Sequence, residues 1–519
     1  MKLASIFTDN MVLQAEHPIR IFGEGSGTAE VFFCGEHKKK IFREGSWGIT
    51  LPAMPYSGPY EMTVILNDEV TVLKNICVGE VWLAAGQSNM EMPLFCIENG
   101  FEFAKHAEND NIRLFTVPRR VKKEDRCSGW HFCSNQEMDT PWQLCREETV
   151  LNFSAIGYLT ARQLQETLNV AVGVISCNYG GSIIESWIPY RELKEHPLLG
   201  SITRKWEEDL KDNDDEDYLR RYRDVICKRN RLCDTDPVNY IEKTRQMGIR
   251  ATVLFPDREE FAQLPVGRYY PWYPGCLYEA MTSRIAPFGM RGIMWYQGEA
   301  NGGNDQACQN YLEKYLLYMQ CMKERFQNPD LRFYAMELAS FGYSWVNDTT
   351  LCTNRNPQQP SFPYIREQQY KATKVAPNNY VVTTMELGDP NNIHSFHKAQ
   401  MAHRLAMKIL KYSYGYDVPA DQPVAVRAQF RDGKAYITVE NGEGLFCNYP
   451  AAVDIFVADD NKELKKAELQ IQGNVLVLSS PQVPQPTLAR YAFDRSYLGR
   501  HIHNAAGLPL APFRTDTDE

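Results

Sequence analysis

The sequence predicts an α/β protein in which a parallel-sheet domain carries a helical insertion and is flanked by two β domains. Short alternating segments separated by turn residues occupy both ends of the chain, whereas strands and helices alternate between them. A highly charged stretch with helical spacing interrupts that alternation. The predicted units are an N-terminal β domain (1–75), a catalytic domain (76–190 and 266–412), the helical insertion (191–265) and a C-terminal β domain (413–519).

Composition narrows the class of protein. The chain has 519 residues, of which 44% are hydrophobic and 23% charged, as in ordinary globular proteins. A net charge of -9 argues against a nucleic-acid or anionic-membrane partner. The first ten residues become polar too soon for a signal peptide, so we expect a cytoplasmic protein unless a secretion signal has been removed.

No cofactor or metal is expected. The 14 cysteines are scattered and form no Cys-x-x-Cys pair, which is typical of buried free thiols in a reducing compartment. The close histidine pair His501 and His503 lacks partner ligands nearby in the sequence, so it does not indicate zinc.

The two ends of the chain show the alternation of half-buried strands. In the N-terminal domain, the predicted strands are 19–22, 30–33, 61–65 and 70–73. In the C-terminal domain, they are 424–430, 434–439, 453–457 and 475–478. We expect both domains to be sandwich-like.

The middle of the chain predicts a parallel sheet. The apolar run 170–177 is typical of a strand that is buried on both faces. The other predicted strands are 81–85, 111–117, 292–296, 331–336 and 380–384. The predicted helices are 154–168 (with Ser154 as its cap), 277–283, 309–326 and 398–412. The insertion at 191–265 is either a solvated helical rim or a lid.

Four of these strands end in polar loops. Ser88 follows the first, residues 178–182 the third, residues 297–301 the fourth, and a loop with a histidine follows the strand at 380–384. Open α/β sheets place their active sites at the carboxyl ends of strands. Taken alone, Ser88 is better explained as the cap of the next helix. With the other three loops, it predicts a nucleophile with a base and oxyanion donors.

The same loops carry a family resemblance. The blocks are Gly86-Gln-Ser-Asn-Met90, Gly180-Gly-Ser-Ile-Ile-Glu-Ser-Trp187, Trp295-Tyr-Gln-Gly-Glu-Ala-Asn301 and Gly388-Asp-x-x-x-Ile-His394. In this order they resemble the SGNH-type sialate O-acetylesterase family, which is similar to some plant-polysaccharide acetyl esterases. The segment 7–14 also matches the start of that family's N-terminal domain. The resemblance implies an SGNH-hydrolase (flavodoxin-like) parallel-sheet sandwich and a cofactor-free carbohydrate O-acetylesterase.

Carried over to this sequence, the resemblance implies Ser88 as nucleophile and His394 as general base and then general acid. The oxyanion donors would be the backbone N–H groups of Ser88 and Gly180 and the side-chain amide of Gln297. A structural hydrogen bond to a loop is the alternative role for Gln297. His397 and His403 are expected to be helix-surface or packing residues.

The acid behind His394 is the point of departure from the pattern. The superfamily often has an aspartate two or three residues before the histidine, where this chain has Asn391 and Asn392. Asp389 is the nearest carboxylate in sequence, and a backbone carbonyl or Glu299 are the alternatives. Glu299 and Asn301 are predicted as supporting residues.

The expected substrate is a small molecule or oligosaccharide that carries O-acetyl groups. Five aromatic side chains could either form a platform for a sugar ring or pack in the core. They are Trp187, Tyr269, Tyr270, Trp272 and Tyr273. Arg268 and Arg366 are candidate partners for a sialate carboxylate, which a neutral xylan or mannan would not need. The competing hypotheses are an esterase or lipase for other small esters and a catalytically inactive carbohydrate-binding protein.

Overall fold

The computed structural model describes residues 1–120, 140–221, 224, 266–268, 270–303, 305–342, 362–497 and 500–516. It shows an α/β protein with a large mixed sheet at its centre and smaller antiparallel sheets at both ends. The N-terminal strands are β1 (Lys2–Leu3), β2 (Val12–Gln14), β3 (Ile19–Glu24), β4 (Gly27–Phe33), β5 (Glu36–Phe42), β6 (Ser46–Leu51) and β7 (Ser57–Leu66). β1, β3 and β6 form a three-stranded sheet, and β4, β5 and β7 join the large sheet.

One long strand, β8 (Glu69–Gly86), links the N-terminal strands to the catalytic sheet. Its first half pairs with β7 in antiparallel fashion and alternates between exposed and buried residues. Its second half is apolar and buried on both faces, as parallel sheets require. The strand therefore runs through residues 75 and 76, where the sequence predicted a domain boundary, because only the pattern of burial changes there.

The six strands predicted in the middle of the chain all lie in the large sheet. The strands are β8, β9 (Asn109–Thr116), β11 (Val172–Asn178), β12 (Gly292–Tyr296), β13 (Arg332–Met336) and β14 (Asn379–Val382), with the short antiparallel β10 (Gln143–Cys145) at the edge. Their spatial order is β10-β9-β11-β8-β12-β13-β14, and all pairs from β9 to β14 are parallel. The chain builds one side of β8 first and then the other, so β8 stands at the switch point where such sheets bind ligands.

The helices largely follow the predicted spacing. They are α1 (Ser88–Glu91), α2 (Gly100–Lys105), α3 (Glu147–Leu151), α4 (Ala155–Leu168), α5 (Tyr190–Glu195), α6 (Gly200–Asp209), α7 (Cys276–Ala280), α8 (Glu299–Gly302), α9 (Asp305–Cys308), α10 (Tyr311–Arg325), α11 (Phe362–Val375) and α12 (Lys398–Tyr414). Short 3₁₀ turns lie at Leu94–Cys96, Ile184–Trp187, Thr282–Arg284, Met385–Leu387 and Pro450–Ala452. Ser154 caps α4 as predicted, because its Oγ accepts from the N–H of Gly157 at 3.0 Å.

The predicted insertion is described only in its first part. Helices α5 and α6 lie there, and residues 215–221 are also helical. Residues 225–265 lie outside the described part of the chain. Within the described ranges, all nine cysteines are free thiols, and no helix is long and apolar enough to cross a membrane.

The C-terminal region consists of two antiparallel four-stranded sheets. The strands are β15 (Val424–Arg431), β16 (Lys434–Glu440), β17 (Ile455–Ala458), β18 (Lys465–Lys466), β19 (Glu468–Gln472), β20 (Val475–Ser479), β21 (Leu488–Tyr491) and β22 (Phe513–Arg514). The sheet β15-β16-β20-β19 and the sheet β18-β17-β21-β22 bury their apolar side chains in one shared core. This is the sandwich-like arrangement that the alternating pattern predicted.

Candidate active site

Three parallel strands end at the same level beneath the candidate site. In the register of the sheet, Gly86 of β8 lies beside Asn178 of β11 and Tyr296 of β12. Gly86 has a φ of +141°, and a Cβ built there would lie 2.1 Å from the carbonyl oxygen of Tyr296. Only glycine fits this close approach and adopts this φ without strain. The chain turns away from the strand there, and α1 begins at Ser88.

Ser88 and His394, which are 306 residues apart in the chain, meet above these strand ends. The distance from His394 Nε2 to Ser88 Oγ is 2.6 Å, and only 6% of Ser88 is exposed. Asn392 fixes the backbone of the histidine loop, since its Oδ1 accepts from the N–H of His394 at 3.0 Å. The geometry is that of a nucleophile hydrogen-bonded to its general base.

The environment of His394 favours the neutral imidazole. Burial, and then the positive charge of Lys398, lower the pKa of His394 to about 3. A general base must be unprotonated to accept a proton, and the neutral form has this capacity at neutral pH.

The lowered pKa predicts an unusual acid limit for activity. Since His394 is protonated only as the pH falls through its depressed pKa, kcat/KM should stay level from neutral pH down to about pH 5. The measurement is the pH profile of acetate release, with circular dichroism at each pH to confirm that the protein remains folded. A half-maximal rate near the ordinary histidine pKa of about 6.5 would contradict this assignment.

The side chain of Asp389 contacts the backbone of its own loop. Its Oδ1 accepts from the backbone N–H of Asn391 at 2.8 Å, and its carbonyl oxygen accepts from the N–H of Asn392 at 3.2 Å. This tight turn holds the carboxylate against its own loop. The role of Asp389 in orienting the imidazole stays a prediction.

Gln297 is positioned by the surrounding loops. Its Nε2 donates to the carbonyl oxygen of Ser182 at 3.1 Å and to Asn301 Oδ1 at 2.6 Å. Its Oε1 accepts from the hydroxyl of Tyr311 at 3.0 Å. Both hydrogens of the Gln297 amide thus have protein acceptors. This agrees with the alternative role of Gln297, a structural hydrogen bond to a loop, and not with the oxyanion role that the resemblance implied.

Asn301 joins Gln297 to a buried ion pair that the sequence did not predict. Its Nδ2 donates to Glu185 Oε2 at 3.0 Å, and its Oδ1 also accepts from the N–H of Ile184 at 3.0 Å. Glu185 in turn pairs with Lys314 at 2.6 Å, and both side chains are almost fully buried. Asn301 therefore ties the loop after β12 to the loop after β11, and its role as a supporting residue stays a prediction.

Glu299, the other predicted supporting residue, reaches the site through Asn89. Asn89 Nδ2 donates to Glu299 Oε1 at 2.5 Å, and Asn89 Oδ1 accepts from the ammonium of Lys398 at 2.5 Å. Burial raises the pKa of Glu299 and lowers that of Lys398 to about 7. The sequence analysis singled out neither Asn89 nor Lys398. Asn89 lies inside the quoted block around Ser88, whereas Lys398 had no local signal.

The remaining histidines have other neighbours. His397 Nδ1 lies 3.5 Å from Glu98 Oε2, and His403 Nδ1 lies 2.8 Å from Gln163 Oε1, both on exposed surface. His501 and His503 contact each other through their rings. Among the described residues, no group of three or more histidine, cysteine, aspartate or glutamate side chains is placed to hold a metal ion.

The candidate sugar-binding aromatic residues divide into core and rim. Trp187 is buried against Trp295 and donates to Ser182 Oγ at 2.9 Å, so it is a packing residue. Tyr270 and Trp272 are half-buried, with ring centroids 6.2 Å apart. The indole N–H of Trp272 donates to the carbonyl oxygen of Gly181 at 2.6 Å, directly after the proposed oxyanion glycine. Tyr273 packs on Tyr190, and Tyr269 lies outside the described residues.

The two candidate cations for a sialate carboxylate have different environments. Arg366 is fully buried and donates to four carbonyl oxygens, those of Leu338, Ala339, Asp494 and Arg495. It therefore joins the catalytic domain to the C-terminal region and does not face a ligand. Arg268 is exposed and lies 3.7 Å from Asp215.

Residues 267–411 match the family described as carbohydrate esterase, sialic acid-specific acetylesterase. The predicted family resemblance is confirmed. The matched segment includes Gln297, His394 and Lys398, and Ser88 lies upstream of it.

Relatives of this family extend the similarity along the chain. The sialate O-acetylesterase of Mus musculus is 23% identical over 448 residues, covering 80% of this chain and 74% of that protein. The sialate O-acetylesterase of Rattus norvegicus is 24% identical over 455 residues, with the same coverage. A solved carbohydrate acetylesterase from Xanthomonas citri is 25% identical with a TM-score of 0.75, and the similarity covers 100% of both chains.

Proposed function

We propose that this protein is a carbohydrate O-acetylesterase, a serine hydrolase that removes acetyl groups from sugars. The observation that carries the proposal is the contact of 2.6 Å between Ser88 Oγ and His394 Nε2 above the switch point of the parallel sheet. The confirmed family resemblance supports the same class of reaction.

In the proposed mechanism, Ser88 Oγ attacks the acetyl carbonyl carbon while His394 Nε2 takes the hydroxyl proton. The tetrahedral intermediate then expels the sugar oxygen, which receives that proton from the imidazolium. Water attacks the carbonyl carbon of the resulting acetyl-Ser88 ester and loses a proton to His394. The second tetrahedral intermediate then breaks its bond to Ser88 Oγ, which takes that proton back from the imidazolium as acetate leaves. The neutral imidazole of His394 can accept the proton of Ser88 in the first half of the reaction and the proton of water in the second.

Backbone N–H groups are the proposed oxyanion donors. Ser88 begins α1, and its backbone N–H is the first proposed donor. Gly180 lies in the turn directly after β11, where its backbone hydrogen-bonds the buried carboxylate of Glu91, so the donor role that the resemblance implied for Gly180 stays a prediction. Fixed backbone dipoles at this position stabilise the negative charge that develops in the transition state. Gln297 contributes indirectly, by holding the carbonyl oxygen of Ser182 two residues after Gly180.

The type of parallel sheet and the division into domains are also part of the proposal. We infer that the parallel sheet is an SGNH-hydrolase (flavodoxin-like) sandwich, because the nucleophile loop, the glycine loop and the histidine loop all lie at strand ends around the central β8. The layout of 1–75, 76–190 with 266–412, 191–265 and 413–519 is retained as the domain proposal, with β8 continuous across the first boundary.

The substrate proposed first is an O-acetylated sialic acid, as the names of the mammalian relatives suggest. Acetylated xylan or mannan is the alternative within the same reaction class. The test is an acetate-release screen across the three sugars with the wild type and Ser88→Ala. Release from sialate alone supports the first substrate, and release from xylan or mannan alone replaces it. No release from any acetylated sugar or from 4-nitrophenyl acetate would contradict the enzyme and leave a carbohydrate-binding protein.

The rim residue Trp272 offers a separate test of sugar binding. If its ring supports the sugar, Trp272→Ala should raise KM for the preferred acetylated sugar roughly 3- to 10-fold, the range of one aromatic contact. KM for 4-nitrophenyl acetate, which has no sugar, should not change. Trp206→Ala, which removes an aromatic side chain packed on Tyr273, is the matched control. An equal rise for both substrates would indicate a general disturbance of the site.

A further inference from the structure

The side chain of Asn89 connects three separate segments directly behind the Ser88–His394 contact. Its Nδ2 donates to Glu299 Oε1 at 2.5 Å and to the carbonyl oxygen of Ile393 at 3.0 Å. Its Oδ1 accepts from the ammonium of Lys398 at 2.5 Å. Asn89, Glu299 and Lys398 are 2%, 4% and 0% exposed, so water does not compete with these contacts.

When Lys398 is protonated and Glu299 is ionised, their chemistry permits only one orientation of this amide. An ammonium group is a donor only, and an ionised carboxylate is an acceptor only. A rotated amide would turn its N–H groups towards Lys398 and its oxygen towards Glu299 and the Ile393 carbonyl. The contacts with Lys398, Glu299 and the Ile393 carbonyl would then all be repulsive. Lys398 and Glu299 together therefore hold the N–H of Asn89 on Ile393.

This orientation matters because of where the bonded residues lie. Asn89 directly follows the nucleophile, and Ile393 directly precedes the base. The bond from Asn89 to Ile393 thus links the two catalytic loops one residue away from the reacting atoms. We propose that Asn89 is a positioning residue that holds the His394 loop on Ser88, with Lys398 and Glu299 fixing the direction of its amide.

Lys398 has a second effect on the same pair. The charged and titratable groups that face it are Glu299 and His394, and its ammonium lies 5.4 Å from the centre of the Tyr296 ring. Its positive charge lowers the pKa of His394, whereas the charge of Glu299 favours the charged form of Lys398. Removing the lysine should therefore change the pH profile as well as the rate, which loss of packing alone would not do.

The first test rests on the proposed acetylesterase function. Asn89→Ala should lower kcat for 4-nitrophenyl acetate about 10²-fold with little change in KM, because a small displacement of reacting groups costs about that much. Asn89→Asp should lower kcat similarly, since a carboxylate cannot donate to Ile393 or Glu299. Asn379→Ala removes another buried asparagine, one that accepts from the hydroxyl of Tyr315, and should keep the wild-type kcat.

The second test uses Lys398→Met. We expect kcat to fall about 10-fold or more, as the amide of Asn89 loses its anchor, and the acid limb of kcat/KM to move to higher pH. Lys408→Met is the matched control. Lys408 is a buried lysine on the same helix, α12, but its ammonium contacts Asp421. All rates are referred to the folded fraction measured by circular dichroism.

The outcomes separate this proposal from the proposed function. Normal kcat in Asn89→Ala, or an unchanged pH profile in Lys398→Met, overturns the positioning role. If the wild type releases no acetate at all, the proposed function fails. The same variants are then compared by the rate at which a fluorophosphonate labels Ser88. Slower labelling in Asn89→Ala than in Asn379→Ala supports the positioning role, and equal labelling overturns it.

Discussion

Ser88→Ala is expected to abolish acetate release, with a loss of about 10⁴- to 10⁶-fold in kcat. The physical reason is that no other group takes the place of the attacking oxygen. Ser88 Oγ contacts the base at 2.6 Å, and it stands at the end of the central strand. The measurement is steady-state hydrolysis of 4-nitrophenyl acetate and of the preferred acetylated sugar.

A buried serine far from the site provides the control for Ser88. Ser480 in the C-terminal region is 7% exposed, and Ser480→Ala should keep the wild-type rate. Thermal unfolding of both variants shows whether either change disturbs the fold. Retention of more than about a hundredth of the activity in Ser88→Ala would remove this serine from the nucleophile role.

His394→Ala should cause a loss of similar size, about 10⁴- to 10⁶-fold in kcat, because Ser88 then has no base to take its proton. His397→Ala should retain the wild-type kcat, since the ring of His397 faces Glu98 on the surface. Residues that act as one unit give non-additive losses. The double variant with Ser88→Ala and His394→Ala should therefore be no slower than the slower single variant.

The outcome for His397 decides between two assignments of the base. Equal losses in His394→Ala and His397→Ala would mean that the histidine loop is needed as a whole. Additive losses in the double variant would mean that Ser88 and His394 act in separate steps. Either result would contradict a proton transfer between them.

Much of the fold was predictable because its signals are local. Residues 81–85 at the end of β8 are a continuous apolar run followed by Gly86, and that pattern alone predicts a buried strand followed by a sharp turn. The polar loops after β8, β11 and β12 could also be predicted to meet, since parallel strands present their carboxyl ends at one edge. What the local pattern concealed was the continuity of β8, since its first half reads as a separate half-buried strand.

The hydrogen-bond partners in the site were less predictable, since they depend on distant segments. The direction of the Gln297 amide is set by Ser182, Asn301 and Tyr311, none of which its local sequence reveals. Asp389 is the nearest carboxylate to His394 in sequence, but its Oδ1 accepts a hydrogen bond from the backbone of its own turn. Lys398 resembles a surface lysine at the start of a helix, but in the fold it is buried and donates to the distant Asn89.

The most direct test of the central claim is peptide mapping after reaction with a fluorophosphonate, which forms a stable bond with an activated serine oxygen. We predict a single adduct on the peptide that contains Ser88, formed rapidly in the wild type, slowly in His394→Ala and not at all in Ser88→Ala. An adduct on another residue, or equal rates of labelling in the wild type and His394→Ala, would contradict the assignment of Ser88 as a nucleophile activated by His394.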